Sequence, residues 1–197
     1  MGVNLSKGAR VSLTKENKGL TNIIVGLGWD AVPKKKGFFS ALVSGGGSDI
    51  DCDASIFMLD NDEKLKETVY YGKLKSSNES IIHTGDNTTG EGEGDDEQIK
   101  INLEKIPSDI SKMVVVINIY DCKRRNQDFG MIKNAFARVV NQKDGQEMLK
   151  YNLTENYNDK KSIIVSEIYR NNGEWKFAAI GEGTGDYSLK ELQKRYL

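Results

Sequence analysis

The densest group of residues capable of metal chemistry is an acidic, glycine-rich segment at positions 85–97. It holds six carboxylates and four glycines with no basic residue among them. The six acids are Asp86, Glu91, Glu93, Asp95, Asp96 and Glu97. Like charges so close in sequence repel one another within the Debye length of about 10 Å at 0.1 M salt. A compact bare loop would be strained, so the composition indicates a cation site.

Calcium is the cation that this composition favours. It takes roughly six to eight oxygen ligands at about 2.3–2.6 Å from carboxylates, amides and backbone carbonyls. The glycines let carbonyls turn inward while the acids converge, and Asn87 adds an amide oxygen. An EF-hand does not fit, because Glu91 occupies the position that needs glycine and both flanks are strand-like. The alternative is a solvated acidic hairpin tip, which is common for such stretches.

A second acidic pattern lies on the strand-like run 49–57. A period of two places one set of side chains on a single face: Asp49, Asp51, Asp53, Ser55 and Phe57. Three acids on one face are costly without a counter-charge. Beside the acidic segment, we predict that Asp51 and Asp53 are metal ligands and that Asp30, just past a strand end, closes the cage. The alternative is a solvent-exposed strand face.

Strand-like runs of β-branched and aromatic residues, separated by Gly, Asn and Asp, recur along the chain. The predicted strands are 22–28, 50–59, 68–72, 80–83, 98–102, 113–120, 135–141, 147–152, 162–169 and 175–180. Helical spacing behind a serine cap predicts a helix over 188–196, and one more turn is expected at 108–111. The fold class is therefore all-β: an antiparallel β-sandwich with short helices, one near the C-terminus. The length of 197 residues suits a single domain spanning 1–197.

An enzymatic function finds little support in the residue types. His83 is the only histidine, so a Ser-His-Asp or Cys-His pair is not readily assembled and a His/Cys zinc cluster is excluded. Cys52 and Cys122 each follow an aspartate, which predicts buried structural thiols rather than reactive thiolates. A metal-dependent phosphoesterase remains as an alternative, because a carboxylate cage can hold Mg²⁺ or Mn²⁺. The excess of ligands and the lack of an adjacent phosphate-binding lysine or arginine argue against it.

Several separated motifs resemble those of the TerD family, the tellurite-resistance and general-stress proteins of bacteria. Residues 85–97, GDNTTGEGEGDDE, match the family signature G-D-N-x-T-G-x-G-x-G-D-D-E, and His83 and Thr84 precede it. Further matches follow the same order: GVNLSKG at 2–8, GLGWD at 26–30, DCDAS at 51–55, NAFAR at 134–138 and YRNNGEWKF at 169–177. This sequence departs from the common form in having Glu93 instead of Asp and a longer stretch at 32–48.

The resemblance implies a β-sandwich that binds calcium, with two ions expected at one end. The predicted metal ligands are Asp30, Asp51, Asp53, Asp86, Asn87, Glu91, Glu93, Asp95, Asp96 and Glu97. The implied function is that of a non-enzymatic stress-response module of the tellurite-resistance type. Other stress proteins or the inner membrane surface are the expected partners. Nucleic acid is not expected, because the basic residues are scattered and the aromatic residues form no stacking pattern.

The insertion supports an alternative function. Residues 34–43, KKKGFFSALV, set a lysine cluster beside apolar side chains, as a calcium-dependent contact with a membrane or partner would require. The other interpretation is a lid that folds over the sandwich. A cytoplasmic location is expected, because the N-terminus lacks an apolar signal core and the longest apolar run, 113–120, is far shorter than the ~20 residues that span a bilayer.

Overall fold

The computed structural model describes residues 2–15, 17–31, 50–85 and 94–197. Its strands are β1 (Val3–Leu5), β2 (Arg10–Ser12), β3 (Asn22–Ala31), β4 (Cys52–Asp60), β5 (Leu65–Val69), β6 (Ile81–His83), β7 (Glu97–Asn102), β8 (Ile110–Ile119), β9 (Ile132–Asn141), β10 (Glu147–Asn152), β11 (Ser162–Asn171) and β12 (Glu174–Thr184). Two short helices are α1 (Cys122–Arg125) and α2 (Leu189–Gln193), with 3₁₀ turns at Phe129–Met131 and Lys194–Tyr196.

The strands form two six-stranded sheets. The first sheet has the order β1-β10-β9-β3-β7-β6 and the second has the order β2-β12-β11-β8-β4-β5. Neighbouring strands are antiparallel except β1 and β10, which run parallel. The predicted fold class, an antiparallel β-sandwich with few short helices and one near the C-terminus, is confirmed.

The β3–β4 connection and the β6–β7 connection start and finish at the same end of the sandwich, and the candidate site lies at that end. Glu97, the first residue of β7, pairs with Leu27 near the end of β3. Its side chain also contacts Ala54, near the start of β4 in the other sheet. The β3–β4 connection and the β6–β7 connection therefore begin and end beside one another.

The second sheet is covered on both faces around β4, β8 and β11. Between the sheets, one apolar cluster takes alternate residues of both, including Val25, Leu27 and Ile99 from the first sheet and Ile56 and Ile117 from the second. On the outer face of the second sheet, a smaller cluster contains Phe57, Leu59, Val114, Val116, Ile164 and Leu192 of α2. The period of two predicted for β4 holds. The solvent-exposed strand face is wrong, because Asp53, Ser55 and Phe57 are all buried.

Differences from the predicted elements occur where segments are short. β1 and β2 are absent from the predicted strands, because three residues are too few to show alternation and neither has the paired β-branched residues of β6. Strand β5 lies at Leu65–Val69 rather than 68–72, since Tyr70 and Lys73 form a bridge that turns the chain. The turn predicted at 108–111 is shorter in the structure. It is closed by a hydrogen bond from the Ile110 N–H to the Pro107 carbonyl at 3.1 Å, and β8 begins at Ile110 itself.

Docking of the C-terminal helix can be tested through Leu192, which is 0% exposed. We expect Leu192→Ala to lower the free energy of unfolding by about 2–5 kcal/mol, because it removes apolar contacts and leaves a cavity over β4 and β8. Leu197→Ala is the matched control, since Leu197 is 74% exposed. Urea unfolding followed by tryptophan fluorescence measures both, and equal losses in the two variants would contradict this packing of Leu192.

Candidate metal site

Glu97 joins the two sheets from inside the sandwich. Its carboxyl group, with no exposed surface, accepts a hydrogen bond from the Ala54 N–H at 2.6 Å. His83 Nε2 lies 3.2 Å from the Ala54 carbonyl and 3.4 Å from the Glu97 Oε2. The Gly85 N–H donates to His83 Nδ1 at 3.1 Å, which favours the tautomer with the proton on Nε2. Two side chains of the first sheet thus bind both backbone groups of one β4 residue.

This contact replaces a missing rung of the second sheet. Strand β5 pairs with β4 only from Ile56 onward. Ala54 lies two residues earlier, so its N–H and C=O point to the same side as those of Ile56. Glu97 and His83 supply the acceptor and donor that a longer β5 would have supplied. Buried backbone groups need such partners, and this need explains a buried histidine and carboxyl group at the end of a β-sandwich.

Asp95 is fastened to the outer face of the first sheet. Arg138 Nε donates to Asp95 Oδ1 at 2.7 Å, and a second guanidinium nitrogen donates to Oδ2 at 3.0 Å. Gln98 also donates to Oδ2, at 3.0 Å. The carboxylate lies directly over Gly26, where any Cβ would collide with it. Side chains of β7 and β9 therefore hold Asp95 from both sides of β3, and glycine in β3 makes the room.

Asp96 lies between these two anchors, at the end of β3. Its Oδ2 accepts a hydrogen bond from the Trp29 N–H at 2.7 Å, and its own N–H donates to the Leu27 carbonyl at 2.8 Å. Burial raises the pKa of the Asp96 carboxyl; the Trp29 hydrogen bond lowers it, and the charges of Asp30 and Asp95 raise it further. Asp30 and Asp96 both line a cavity of about 780 Å³. Asp30 accepts from the Asn134 amide at 2.7 Å.

The acids of the β4 segment lie around Cys52. Burial raises the pKa of the Cys52 thiol well above its usual value, and the carboxylates of Asp53, Asp51, Glu97 and Asp96 raise it further. Asp53 is 3% exposed and accepts a hydrogen bond from the Asn118 amide at 3.3 Å. The hydrogen bond between Glu97 and Ala54 brings the two predicted acidic segments together, and acids of both segments therefore raise the pKa of this thiol.

The described residues supply part of the predicted ligand set. They bring Asp30 and Asp96 to one cavity, and Asp51, Asp53 and Glu97 to the surroundings of Cys52. Asp86, Asn87, Glu91 and Glu93 lie outside the described residues, as does the 34–43 segment. Across residues 2–15, 17–31, 50–85 and 94–197, no three His, Cys, Asp or Glu side chains are grouped closely enough to hold a metal by themselves. The donors are nevertheless the carboxylate oxygens that calcium prefers.

Sequence reasoning missed the basic side chains of this region. Arg138 is the partner of Asp95, and Lys133 and Lys150 line the same cavity as Asp30 and Asp96. All three lie more than 35 residues from the acidic segment in sequence, and strand pairing brings them close. The register of β9 against β3, in which Asp30 pairs with Lys133 and Gly26 with Arg138, decides these positions.

Comparison with known proteins identifies the family. The model of the TerD domain matches residues 1–196. The chain belongs to the TerD family. It is 56% identical to stress response protein SCP2 of Bacillus subtilis (strain 168) over the whole of both chains. It is also 44% identical to tellurium resistance protein TerD of Serratia marcescens, with 93% of this chain and 91% of that protein covered.

Solved structures show the same fold at lower sequence identity. A homologue of telluride resistance protein TerD from Streptomyces coelicolor A3(2) superposes with a TM-score of 0.67 at 20% identity. That match covers 85% of this chain and 92% of the other.

Within the described residues of this TerD-family chain, no helix is long and apolar enough to cross a membrane. The prediction of buried thiols is confirmed for both Cys52 and Cys122.

Removing the Glu97 side chain tests the bridge between the sheets. We expect Glu97→Ala to lower the free energy of unfolding in EDTA by about 1–3 kcal/mol, because the buried Ala54 N–H loses its acceptor. Glu104→Ala, an exposed acid in the turn after β7, is the control and should unfold like the parent. Urea titration in EDTA measures the effect without any contribution from metal. Unchanged stability of Glu97→Ala would show that the bridge contributes nothing.

Proposed function

We propose that this TerD-family protein is a calcium-binding stress-response module of the tellurium-resistance type that acts by binding and not by catalysis. The proposed site takes two ions at the end of the sandwich where the β3–β4 and β6–β7 connections meet. The observation that carries the proposal is that Asp30 and Asp96 line one cavity, while the hydrogen bond between Glu97 and Ala54 brings the start of β7 against the β4 segment that carries Asp51 and Asp53. The names of the relatives support the stress-response role.

The predicted ligands would divide into two roles. Asp30, Asp51, Asp53 and Asp96 would hold the metal together with the predicted ligands of the 86–93 segment. Asp95 and Glu97 would position the site, since Arg138 engages both oxygens of Asp95 and the β4 backbone engages Glu97. Bound calcium would supply positive charge where carboxylates otherwise repel one another.

A binding role is favoured over catalysis because the histidine and the two thiols are in environments unsuited to acting as a base or a nucleophile. His83 lies inside the bridge between the sheets, and its Nε2 faces the Ala54 carbonyl and Glu97 rather than a cavity. Burial raises the pKa of both thiols, which disfavours the nucleophilic thiolate.

Thermal unfolding in EDTA, calcium and magnesium tests the metal assignment. A metal that binds only the folded state adds about 2.7 kcal/mol at a hundredfold excess over its Kd. We expect a large upward shift of Tm in calcium and a small one in magnesium, because the smaller ion demands near-octahedral geometry. Equal Tm values in all three solutions would rule out the calcium assignment.

Asp96→Asn and Asp109→Asn form the matched pair for this measurement. Asp96 lines the cavity, whereas Asp109 is an exposed acid in the turn before β8. The first variant should lose most of the calcium-dependent shift in Tm and the second should keep it. A parental shift in Asp96→Asn would remove Asp96 from the ligand set.

One observation favours a second candidate function, reversible binding to an anionic membrane surface. Tyr71, Tyr120 and Tyr187 are each 42–43% exposed, and the rings of Tyr71 and Tyr120 are 6.1 Å apart. The basic residues of α1 adjoin them, with Arg125 over the Tyr120 ring at 5.4 Å and Lys123 over Tyr187 at 5.5 Å. The Tyr120 N–H donates to the Asp51 carbonyl at 2.8 Å, so this surface borders the proposed metal end.

Sedimentation with vesicles of phosphatidylglycerol and phosphatidylcholine tests the membrane function. Each basic residue near such a surface contributes about 1 kcal/mol, which favours pelleting with the anionic vesicles. Because this surface borders the proposed metal end, we expect calcium to promote pelleting and EDTA to reverse it. Tyr71→Ser/Tyr120→Ser and Phe38→Ser/Phe39→Ser should each reduce pelleting. Val3→Ser, at a 56% exposed position in β1, is the control. Pelleting that is absent, or equal in calcium and EDTA, would defeat this candidate.

A further inference from the structure

The cavity that Asp30 and Asp96 share is large enough for a small molecule. It lies where β3, β9 and β10 meet on the outer face of the first sheet, and it has a volume of about 780 Å³. Small-molecule sites commonly have volumes of about 300–1,000 Å³. Trp29, Phe136 and Leu153 form apolar parts of its wall. The cavity therefore extends well beyond the two carboxylates.

The polar lining divides into an acidic part and a basic part. Asp30 and Asp96 form the acidic part, and Lys133 and Lys150 form the basic part. Neither lysine makes an ion pair with another described residue, although Lys133 pairs with Asp30 in the strand register. Lys150 Nζ lies 3.9 Å from the centre of the Phe136 ring, a cation–π contact that holds the ammonium group near the cavity.

Two neutral groups add hydrogen-bonding capacity beside the lysines. The Asn152 amide and the Thr154 hydroxyl line the cavity, and neither side chain is hydrogen-bonded to another described residue. The Trp29 indole N–H is also buried without an acceptor among the described residues. The basic part thus offers two ammonium groups, an amide and a hydroxyl, which are the donor types that bind oxyanions.

We propose that this cavity binds a phosphate-type oxyanion, held by Lys133 and Lys150, next to the cation held by Asp30 and Asp96. The inference rests on the proposed calcium function. Without a cation the two carboxylates repel an anion, whereas a bound divalent cation would cancel their charge and leave the charge of the two lysines to attract the anion. The occupant is therefore a phosphate group that binds the calcium-loaded protein and not the metal-free protein. Asn152 and Thr154 donate to its remaining oxygens.

Calorimetric titration in two stages tests the proposal and separates it from the calcium assignment. Calcium is first titrated into chelator-treated protein, and methyl phosphate is then titrated into the calcium-loaded protein and, separately, into protein in EDTA. We expect methyl phosphate to bind only in calcium. Lys133→Ala and Lys150→Ala should each weaken methyl phosphate binding at least about tenfold, because each removes a charged donor. Neither variant should lose calcium binding, since each removes a positive charge that repels the cation. Lys100→Ala, on β7 of the same sheet, is the control.

The two tryptophans give a local readout of the same event. On methyl phosphate binding, the indole N–H resonance of Trp29 should shift in ¹H–¹⁵N spectra. That of Trp175, in β12 of the second sheet with Arg170 stacked on its ring, should not shift. Calcium binding with no methyl phosphate binding, or with parental affinity in both lysine variants, would overturn the oxyanion site alone. Equal methyl phosphate binding in EDTA would overturn the cation-dependent arrangement, and failure of the first titration would overturn the calcium function itself.

Discussion

A buried carboxyl group between two sheets is the constraint on which the functional end of this fold depends. Burying a polar group is unfavourable unless it is hydrogen-bonded, and Glu97 meets that condition by accepting from the Ala54 N–H. The same contact satisfies the edge of β4 before β5 begins. The start of β7 is therefore fixed relative to both sheets, and this contact fixes the position of Glu97, the last residue of the acidic segment.

From this fixed point, the three consecutive acids take three different environments. Asp95 binds Arg138 on the outer face of the first sheet, Glu97 binds the β4 backbone in the interior, and Asp96 remains at the end of β3. Strand alternation would place Asp95 and Glu97, which are two residues apart, on the same face. The chain bends at Gly94 and Asp96 before β7 begins, so these two acids anchor on opposite faces while Asp96 stays beside the cavity. A run of acids is then not a uniform set of ligands.

The parts of this structure that the sequence predicts are those determined by local patterns. Strands such as β8 and β11 are β-branched runs, and their positions follow from composition. The meeting of Arg138 with Asp95 depends instead on which residues of β9 and β3 are paired, and one sequence does not contain that register. β4 shows the same limit. Its alternation was predictable, but burial of Asp53 required knowledge of what covers the second sheet.

The two outer faces of the sandwich consequently differ in what they can do. Helix α2 and the 3₁₀ turn after it close the second sheet with Leu192 and Tyr196 packed on Phe57 and its neighbours. The first sheet instead carries Gly26 and Gly28 in β3, and a side chain at either position would collide with Asp95, or with Phe136 and the Gly94 carbonyl. These glycines let the base of the acidic segment lie flat against the sheet, and the adjoining cavity with its opposed charges opens on that side. The cavity therefore opens on the first sheet, while the outer face of the second sheet carries packing around Phe57.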